Sequence, residues 1–194
     1  MSSTQEPLSL KRAYLLFYNA VSTILWLRIL LCVLVLQDPA SIYSTLEPWT
    51  RGITRSPVFT TFTQVFGRSV QVWAINYAFP AVTAPSPAYG AMLLAWSAAD
   101  TVRYLYFTVL LSGMTVPAAL KWFRYSLFFV LYPIGITSEC WLMYHAAVDT
   151  TSLIVKGIFW FFLVLYLPGT PMMYKYMVKQ RRKTLARGVV NSSS

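Results

Sequence analysis

A tyrosine and a glutamate lie seven residues apart in the segment YPIGITSE, at Tyr132 and Glu139. Seven residues are about two helical turns, so both side chains would lie on one face, roughly 10.5 Å apart along the axis. A carboxyl group and a phenol hydroxyl are the parts of a general acid/base pair. Pro133 and Gly135 lie between them and loosen a helix, so we expect an irregular segment whose kink brings the pair together. The same spacing also fits a purely structural role.

Polar residues recur at three- and four-residue spacing in an earlier apolar segment, at Gln64, Arg68 and Gln71. Residues at this spacing share one face of a helix. Polar groups are costly in lipid, so we expect this face to point into a helix bundle.

Arginines in apolar stretches form a second candidate group. Asp100 and Arg103 are three residues apart, close enough to pair on one face. Asp100 and Glu139 cannot neutralise Arg68, Arg103 and Arg124, so one positive charge is left for an anionic ligand. Alternatively, the arginines bond to backbone carbonyls and hold the bundle together.

The composition indicates that these residues belong to a membrane protein. Of the 194 residues, 57% are apolar and only 11% are charged, whereas soluble proteins carry about 25% charged residues. The abundance of large apolar side chains also excludes a disordered chain. We predict one integral-membrane domain over residues 1–194.

Metal and thiol chemistry have little support in the sequence. Cys32 and Cys140 lie in apolar stretches, so we expect buried free thiols. The only histidine is His145, and no CxxC or HExxH spacing occurs, which argues against a zinc site. No Cys-x5-Arg motif occurs, so phosphatase chemistry lacks its nucleophile.

Hydropathy predicts an all-α, polytopic membrane helix bundle. The expected spans cover about 13–36, 58–82, 89–111, 121–146 and 152–167, the last one broken by Pro168, Gly169 and Pro171. Residues 37–57 are rich in proline and arginine, and they predict a short, broken or re-entrant segment. The count is six transmembrane helices if this segment crosses, and four or a re-entrant variant if two segments fail to cross.

The net charge of +10 is concentrated at the two ends of the chain. Lys11 and Arg12 precede the first span, and six of the sixteen basic residues lie in 175–194. Short basic flanks stay cytoplasmic during insertion, so we expect cytoplasmic tails at 1–11 and 175–194. The basic tail is also expected to contact membrane lipid headgroups, and nothing indicates nucleic-acid binding.

Five segments carry a family resemblance: YLLFYNAVSTILW, RSPVFTTFTQVFGR, WSAADTVRYLYF, FRYSLFFVLYPIGITSE and YLPGTPMMYKYMVKQRRK. With them the chain resembles the very-long-chain (3R)-3-hydroxyacyl-CoA dehydratases, the protein-tyrosine-phosphatase-like A membrane proteins of fatty-acid elongation. The resemblance implies six helices and a multi-pass protein of the endoplasmic reticulum membrane. It implies a 3-hydroxyacyl-CoA substrate, other elongation enzymes as partners, and no cofactor.

The resemblance also implies roles for particular residues. Tyr132 and Glu139 would be the catalytic pair, Glu139 as the main proton-transfer residue with Tyr132 assisting. Family positions of functional importance fall on Gln64, Arg68, Arg103, Arg124 and Gly135. Arg68 and Arg124 would orient the catalytic pair or stabilise enolate charge.

The chain departs from the family pattern at two places, and the second of these favours an alternative function. Asp100 stands where the family usually carries glutamate, and LEPWTRGIT replaces an apolar second segment. A catalytically inactive membrane scaffold associated with the elongation machinery is therefore the alternative to the enzyme. A transporter is less favoured, because no inverted repeat is visible.

Overall fold

The computed structural model describes residues 10–36, 38–53 and 68–190, which fold into helices without a strand among them. The helices are α1 (Leu10–Leu36), α2 (Pro39–Ile53), α3 (Val70–Tyr77, wound as a π-helix), α4 (Pro80–Thr83), α5 (Pro87–Ser112), α6 (Ala118–Ser126), α7 (Phe128–Asp149) and α8 (Leu153–Val190). The predicted all-α membrane bundle is confirmed.

Helix α5 lies at the centre of the bundle. It packs against α1 on one side and against α7 on the other, and α7 in turn packs against α8. The core is built from side chains on these helices that are fully buried or nearly so, among them Ile29, Met92, Leu93, Leu142 and Ala146. Large apolar side chains on the outside of α8, such as Phe161, are exposed, as expected of a surface that faces lipid.

Three helical segments of the described chain are long and apolar enough to cross a membrane. They are Leu10–Leu36, Ala118–Asp149 (α6 and α7 together) and Leu153–Thr184. The central helix α5 has 26 residues, about 39 Å at 1.5 Å per residue, but Asp100 and Arg103 interrupt its apolar character. The total of six spans stays a prediction.

The ends of α5 are fixed by local sequence. Ser86 caps its N-terminus by accepting from the amide of Ala88 at 3.3 Å, and proline follows at the first helical position. At the other end Gly113 adopts φ 85°, the left-handed conformation that favours glycine. The Arg12 Nε donates to the carbonyl of Leu111 at 2.9 Å. The beginning of α1 therefore lies beside the end of α5, and the two helices are antiparallel.

The weak second segment of the sequence forms helix α2. The backbone amide of Ser41 donates to the carboxylate of Asp38 at 2.8 Å, and the hydrogen bonds from Ser41 lower the pKa of Asp38. Ile42 and Leu46 are buried in the core. At 15 residues, about 22 Å, α2 is shorter than the roughly 30 Å of hydrocarbon. The expectation of a short segment at 37–57 agrees with this helix.

Two predicted irregularities are wrong. Helix α8 continues through Pro168 and Pro171, and α7 continues through Pro133. All three prolines are exposed, so their rings do not displace packed neighbours, and membrane helices tolerate the hydrogen bond that proline removes. The interruption in this part of the chain lies at Leu127, between α6 and α7.

The predicted helix over 58–82 is described only from Arg68 onward. Its π-helical turn α3 ends at Tyr77, before the short α4 that starts at Pro80. Gln71 is buried, so this member of the polar face points into the bundle as expected. Gln64 lies outside the described residues.

Candidate active site

Glu139 is the centre of a polar network inside the bundle. The indole Nε1 of Trp96, on α5, donates to its Oε1 at 2.7 Å. The hydroxyl of Tyr166, on α8, donates to its Oε2 at 2.7 Å. Each carboxylate oxygen thus accepts a hydrogen bond from a different helix, an arrangement that suits an ionised carboxylate, which can only accept.

Arg68 supplies positive charge beside this carboxylate. Its Nη1 forms an ion pair with the Oδ2 of Asp100, whose side chain is only 3% exposed. The guanidinium lies over the rings of Trp96, at 5.0 Å from the centroid, and Trp26, at 5.5 Å. It also attracts Glu139 electrostatically. The Arg68 cation therefore interacts with residues of three helices: Trp26 of α1, Trp96 and Asp100 of α5, and Glu139 of α7.

The ion pair predicted between Asp100 and Arg103 is wrong. The carboxylate of Asp100 pairs with Arg68, which reaches it from outside α5. The Arg103 guanidinium lies over the ring of Tyr104 instead, at 5.7 Å. Three-residue spacing makes a pair possible, but the buried carboxylate is neutralised by the guanidinium already packed between the two tryptophans.

Trp96 connects the two charged groups of the site. Its ring edge donates to Glu139 while its face supports the Arg68 guanidinium. Trp96 is 5% exposed, so neither contact competes with much solvent. A single buried indole therefore sets the positions of both the carboxylate and the guanidinium.

Tyr132 lies near Glu139 without a direct hydrogen bond to it. Its hydroxyl donates to the carbonyl of Thr170 at a long 3.4 Å, and its ring lies 6.2 Å from that of Tyr174. An electrostatic interaction nevertheless links Tyr132 to Glu139. Helix α7 is continuous from Tyr132 to Glu139, so seven residues of helical rise separate them by about 10.5 Å along its axis.

Arg124 lies near Arg103 rather than near Glu139. The two arginines repel each other electrostatically, and Arg124 lies over the ring of Tyr125 at 5.4 Å. The Nε of Arg124 is buried and has no hydrogen-bond partner among the residues that the structure describes. Of the two arginines expected to orient Glu139, the structure brings only Arg68 to it.

Gly135 allows α5 and α7 to approach each other closely. It is buried, and a Cβ at this position would lie 3.6 Å from the Cβ of Ala95. An alanine would therefore meet Ala95 at ordinary van der Waals distance, whereas a side chain that extends beyond Cβ would press on α5. Gly135 therefore has a packing role in the site.

Sequence reasoning missed two members of the network, Trp96 and Tyr166. Both are the first residue of a segment quoted for the family resemblance, WSAADTVRYLYF and YLPGTPMMYKYMVKQRRK. A Trp or Tyr in an apolar helix usually finds a partner for its polar atom when buried. The presence of a buried Trp or Tyr in an apolar helix marks both residues as candidates. That both donate to Glu139 can be seen only in the folded structure.

Metal ligands are not assembled in the described part of the chain, where no three His, Cys, Asp or Glu side chains cluster. Cys32 and Cys140 are free thiols, but both are only partly buried, so the prediction that they are buried is wrong. The polar groups that the structure gathers around Glu139 are the Trp96 indole, the Tyr166 hydroxyl and the Arg68 guanidinium.

The fold and the site define an all-helical membrane protein with a hydrogen-bonded carboxylate between its helices. The family described as "Protein tyrosine phosphatase-like protein, PTPLA" matches residues 48–187. This chain belongs to that family. No solved structure matches it.

Named relatives resemble the chain over most of its length. The "Probable very-long-chain (3R)-3-hydroxyacyl-CoA dehydratase" of Schizosaccharomyces pombe is 34% identical, over 92% of this chain and 95% of its own. The "Very-long-chain (3R)-3-hydroxyacyl-CoA dehydratase PASTICCINO 2" of Arabidopsis thaliana is 30% identical, over 91% and 95%. The human "Very-long-chain (3R)-3-hydroxyacyl-CoA dehydratase 2" is 31% identical, over 91% and 82%.

Proposed function

We propose that this chain is a hydro-lyase that converts long- and very-long-chain (3R)-3-hydroxyacyl-CoA to trans-2-enoyl-CoA, the third step of fatty-acid elongation. The names of its relatives support this substrate and reaction. The observation that carries the proposal is the Glu139 carboxylate, held by Trp96 and Tyr166 beside the Arg68 guanidinium. A carboxylate oriented in this way can accept a proton from carbon.

The reaction would use Glu139 twice. Its carboxylate takes the proton from the substrate α-carbon, and the electron pair moves onto the thioester oxygen as an enolate. When the enolate collapses, the bond between C3 and the hydroxyl breaks. The carboxylic acid of Glu139 then gives its proton to the departing hydroxyl, so water leaves and the carboxylate is restored. No electrons are gained or lost overall.

Two further groups would stabilise the enolate. The hydroxyl of Tyr132, which makes only a long hydrogen bond to Thr170, would donate to the thioester oxygen. The positive charge of Arg68 would lower the energy of the negative transition state. Gln64, Arg103, Arg124 and Gly135 are supporting positions, Gly135 through helix packing.

A Tyr132→Phe substitution tests the proposed role of the Tyr132 hydroxyl in enolate stabilisation while it keeps the aromatic ring that packs in the bundle. Loss of the hydroxyl is expected to lower kcat by roughly 100-fold, the lower end for a group that moves or donates a proton. Enoyl-CoA release by purified protein in detergent measures it. Tyr176→Phe, which removes an exposed hydroxyl from α8, is the matched control. Equal turnover by both variants would exclude Tyr132 from the chemistry.

The proposed location is the endoplasmic reticulum membrane, with other elongation enzymes and membrane lipid as neighbours. Both termini are proposed to be cytoplasmic. In support, the beginning of α1 contacts the end of α5 through Arg12, and the later part of α8 contacts α6 through Arg181 and Ser126. Since α5 is joined to α6 by a short turn, these contacts lie at one end of the bundle.

Glycosylation at Asn191 tests the orientation. Asn191-Ser192-Ser193 is an acceptor sequence, modified only where the tail enters the lumen. We expect no mass shift at this site in protein made in microsomes. An acceptor engineered into the turn between Asp149 and Leu153, at the opposite end of the bundle, serves as the control. A glycosylated Asn191 would reverse the proposed topology.

A further inference from the structure

A cationic groove runs along the C-terminal half of α8. Lys175, Lys179 and Arg182 are spaced by four and three residues and so share one helix face. Together with Tyr174 and Val178 they line an open groove of about 340 Å³. All three basic side chains are exposed.

The three charges of the groove have no anionic partner in the structure. None of them makes a hydrogen bond or ion pair with the described residues. Like charges at this spacing on a helix repel one another, which makes the groove favourable for a bound anion. Lysine and arginine together suit phosphate, through point charge and through paired donors.

Arg181, next to the groove, fixes the position of this part of α8 in the bundle. Its Nε donates to the Oγ of Ser126 at 3.0 Å, and its guanidinium lies over the ring of Phe129 at 5.5 Å. This arginine therefore fixes α8 against α6 and α7. Helix α8, with 38 residues, is about 57 Å long, so its charged turns extend beyond the roughly 30 Å of hydrocarbon.

The groove adjoins the candidate active site through one of its lining residues, Tyr174. Tyr174, at its inner end, contacts the ring of Tyr132, whose hydroxyl lies beside Thr170. Thr170 and Lys179 are nine residues apart on α8, about 13.5 Å along the axis. In the phosphopantetheine arm of coenzyme A, about 13 bonds separate the thioester sulfur from the first phosphorus. An extended polypeptide has three backbone bonds per residue, so the arm is little longer than four extended residues, or roughly 15 Å.

We propose that Lys175, Lys179 and Arg182 form the subsite for the phosphate groups of the acyl-CoA substrate. This inference rests on the proposed function. It places the thioester at Tyr132 and Glu139 and the phosphates at the outer end of α8. An anionic lipid headgroup offers the same phosphate chemistry. Only the acyl-CoA substrate, however, must reach the groove and the Tyr132–Glu139 pair at the same time.

Two thioesters of one acyl chain test the subsite. The variant Lys175→Gln/Lys179→Gln/Arg182→Gln is assayed with the 3-hydroxyacyl-CoA and with the 3-hydroxyacyl-pantetheine, which lacks all phosphates. We expect KM for the CoA thioester to rise by roughly tenfold or more through loss of charge-assisted contacts. The kcat/KM for the pantetheine thioester should stay unchanged. Lys156→Gln, near the other end of α8, is the matched control.

Binding measurements distinguish failure of the phosphate subsite from failure of the proposed function. Unchanged KM for both thioesters in the triple variant would overturn the subsite. So would a variant that loses affinity for vesicles containing anionic lipid while its KM for the CoA thioester stays the same, because the groove would then bind lipid. Affinity for coenzyme A itself is measured in parallel. Wild-type protein that binds coenzyme A but turns over neither thioester contradicts the proposed function, whereas equal coenzyme A affinity in wild type and variant contradicts the groove.

Discussion

A Glu139→Gln substitution is expected to lower kcat for dehydration by roughly 10²–10⁴-fold, the range for loss of a positioned acid or base. Glutamine has the same shape as glutamate. Its carbonyl oxygen can still accept the hydrogen bond that the Trp96 indole donates to Glu139 in the wild type, at 2.7 Å. Its amide cannot take a proton from carbon. KM should change little, because the substrate contacts stay in place. Initial rates of enoyl-CoA formation by purified protein measure the effect.

The control for this variant removes a different carboxylate from the same helix. Asp149 is exposed at the end of α7, so Asp149→Asn should retain wild-type kcat. Thermal unfolding of both variants checks that the bundle is intact. Activity of Glu139→Gln within about tenfold of wild type would exclude Glu139 as the proton-transfer group.

An Arg68→Met substitution is expected to destabilise the bundle by about 3–5 kcal/mol, because it leaves the buried carboxylate of Asp100 without its partner. Contacts of the guanidinium with the faces of Trp26 and Trp96 are lost as well. Denaturant unfolding in detergent, followed by tryptophan fluorescence, measures the change.

A double-mutant cycle separates the ion pair from the ring contacts. In Arg68→Met/Asp100→Asn the uncompensated charge is gone, so we expect the double variant to be more stable than Arg68→Met alone. The Asp100→Glu variant keeps the charge and should stay closer to wild type than Asp100→Asn. If the effects of Arg68→Met and Asp100→Asn simply add, the ion pair does not stabilise the fold.

Hydropathy was sufficient to predict the class of fold, because a membrane dictates long apolar helices whatever their neighbours. The beginning and end of α1 and α5 agree with the expected spans to within a few residues. Proline was the misleading signal: the rule that it ends helices fails in α8, where Pro168 and Pro171 point away from the packed core.

The partners within the site could not be predicted, because they come from helices far apart in sequence. Spacing singled out Tyr132 and Glu139, yet the hydroxyl bonded to Glu139 belongs to Tyr166. Spacing likewise paired Asp100 with its neighbour on α5 rather than with Arg68. Periodicity identifies which residues share a face, but which faces meet depends on the packing of the whole bundle.

Turnover of a (3R)-3-hydroxyacyl-CoA by the purified wild-type chain is the most direct test of the proposed function. The protein, in detergent or reconstituted into liposomes, is given a long-chain substrate, and the products are identified by mass spectrometry. We predict trans-2-enoyl-CoA, formed with loss of one water and dependent on Glu139. Substrate that binds to the folded protein and is recovered unchanged would contradict the assignment and favour a catalytically inactive scaffold.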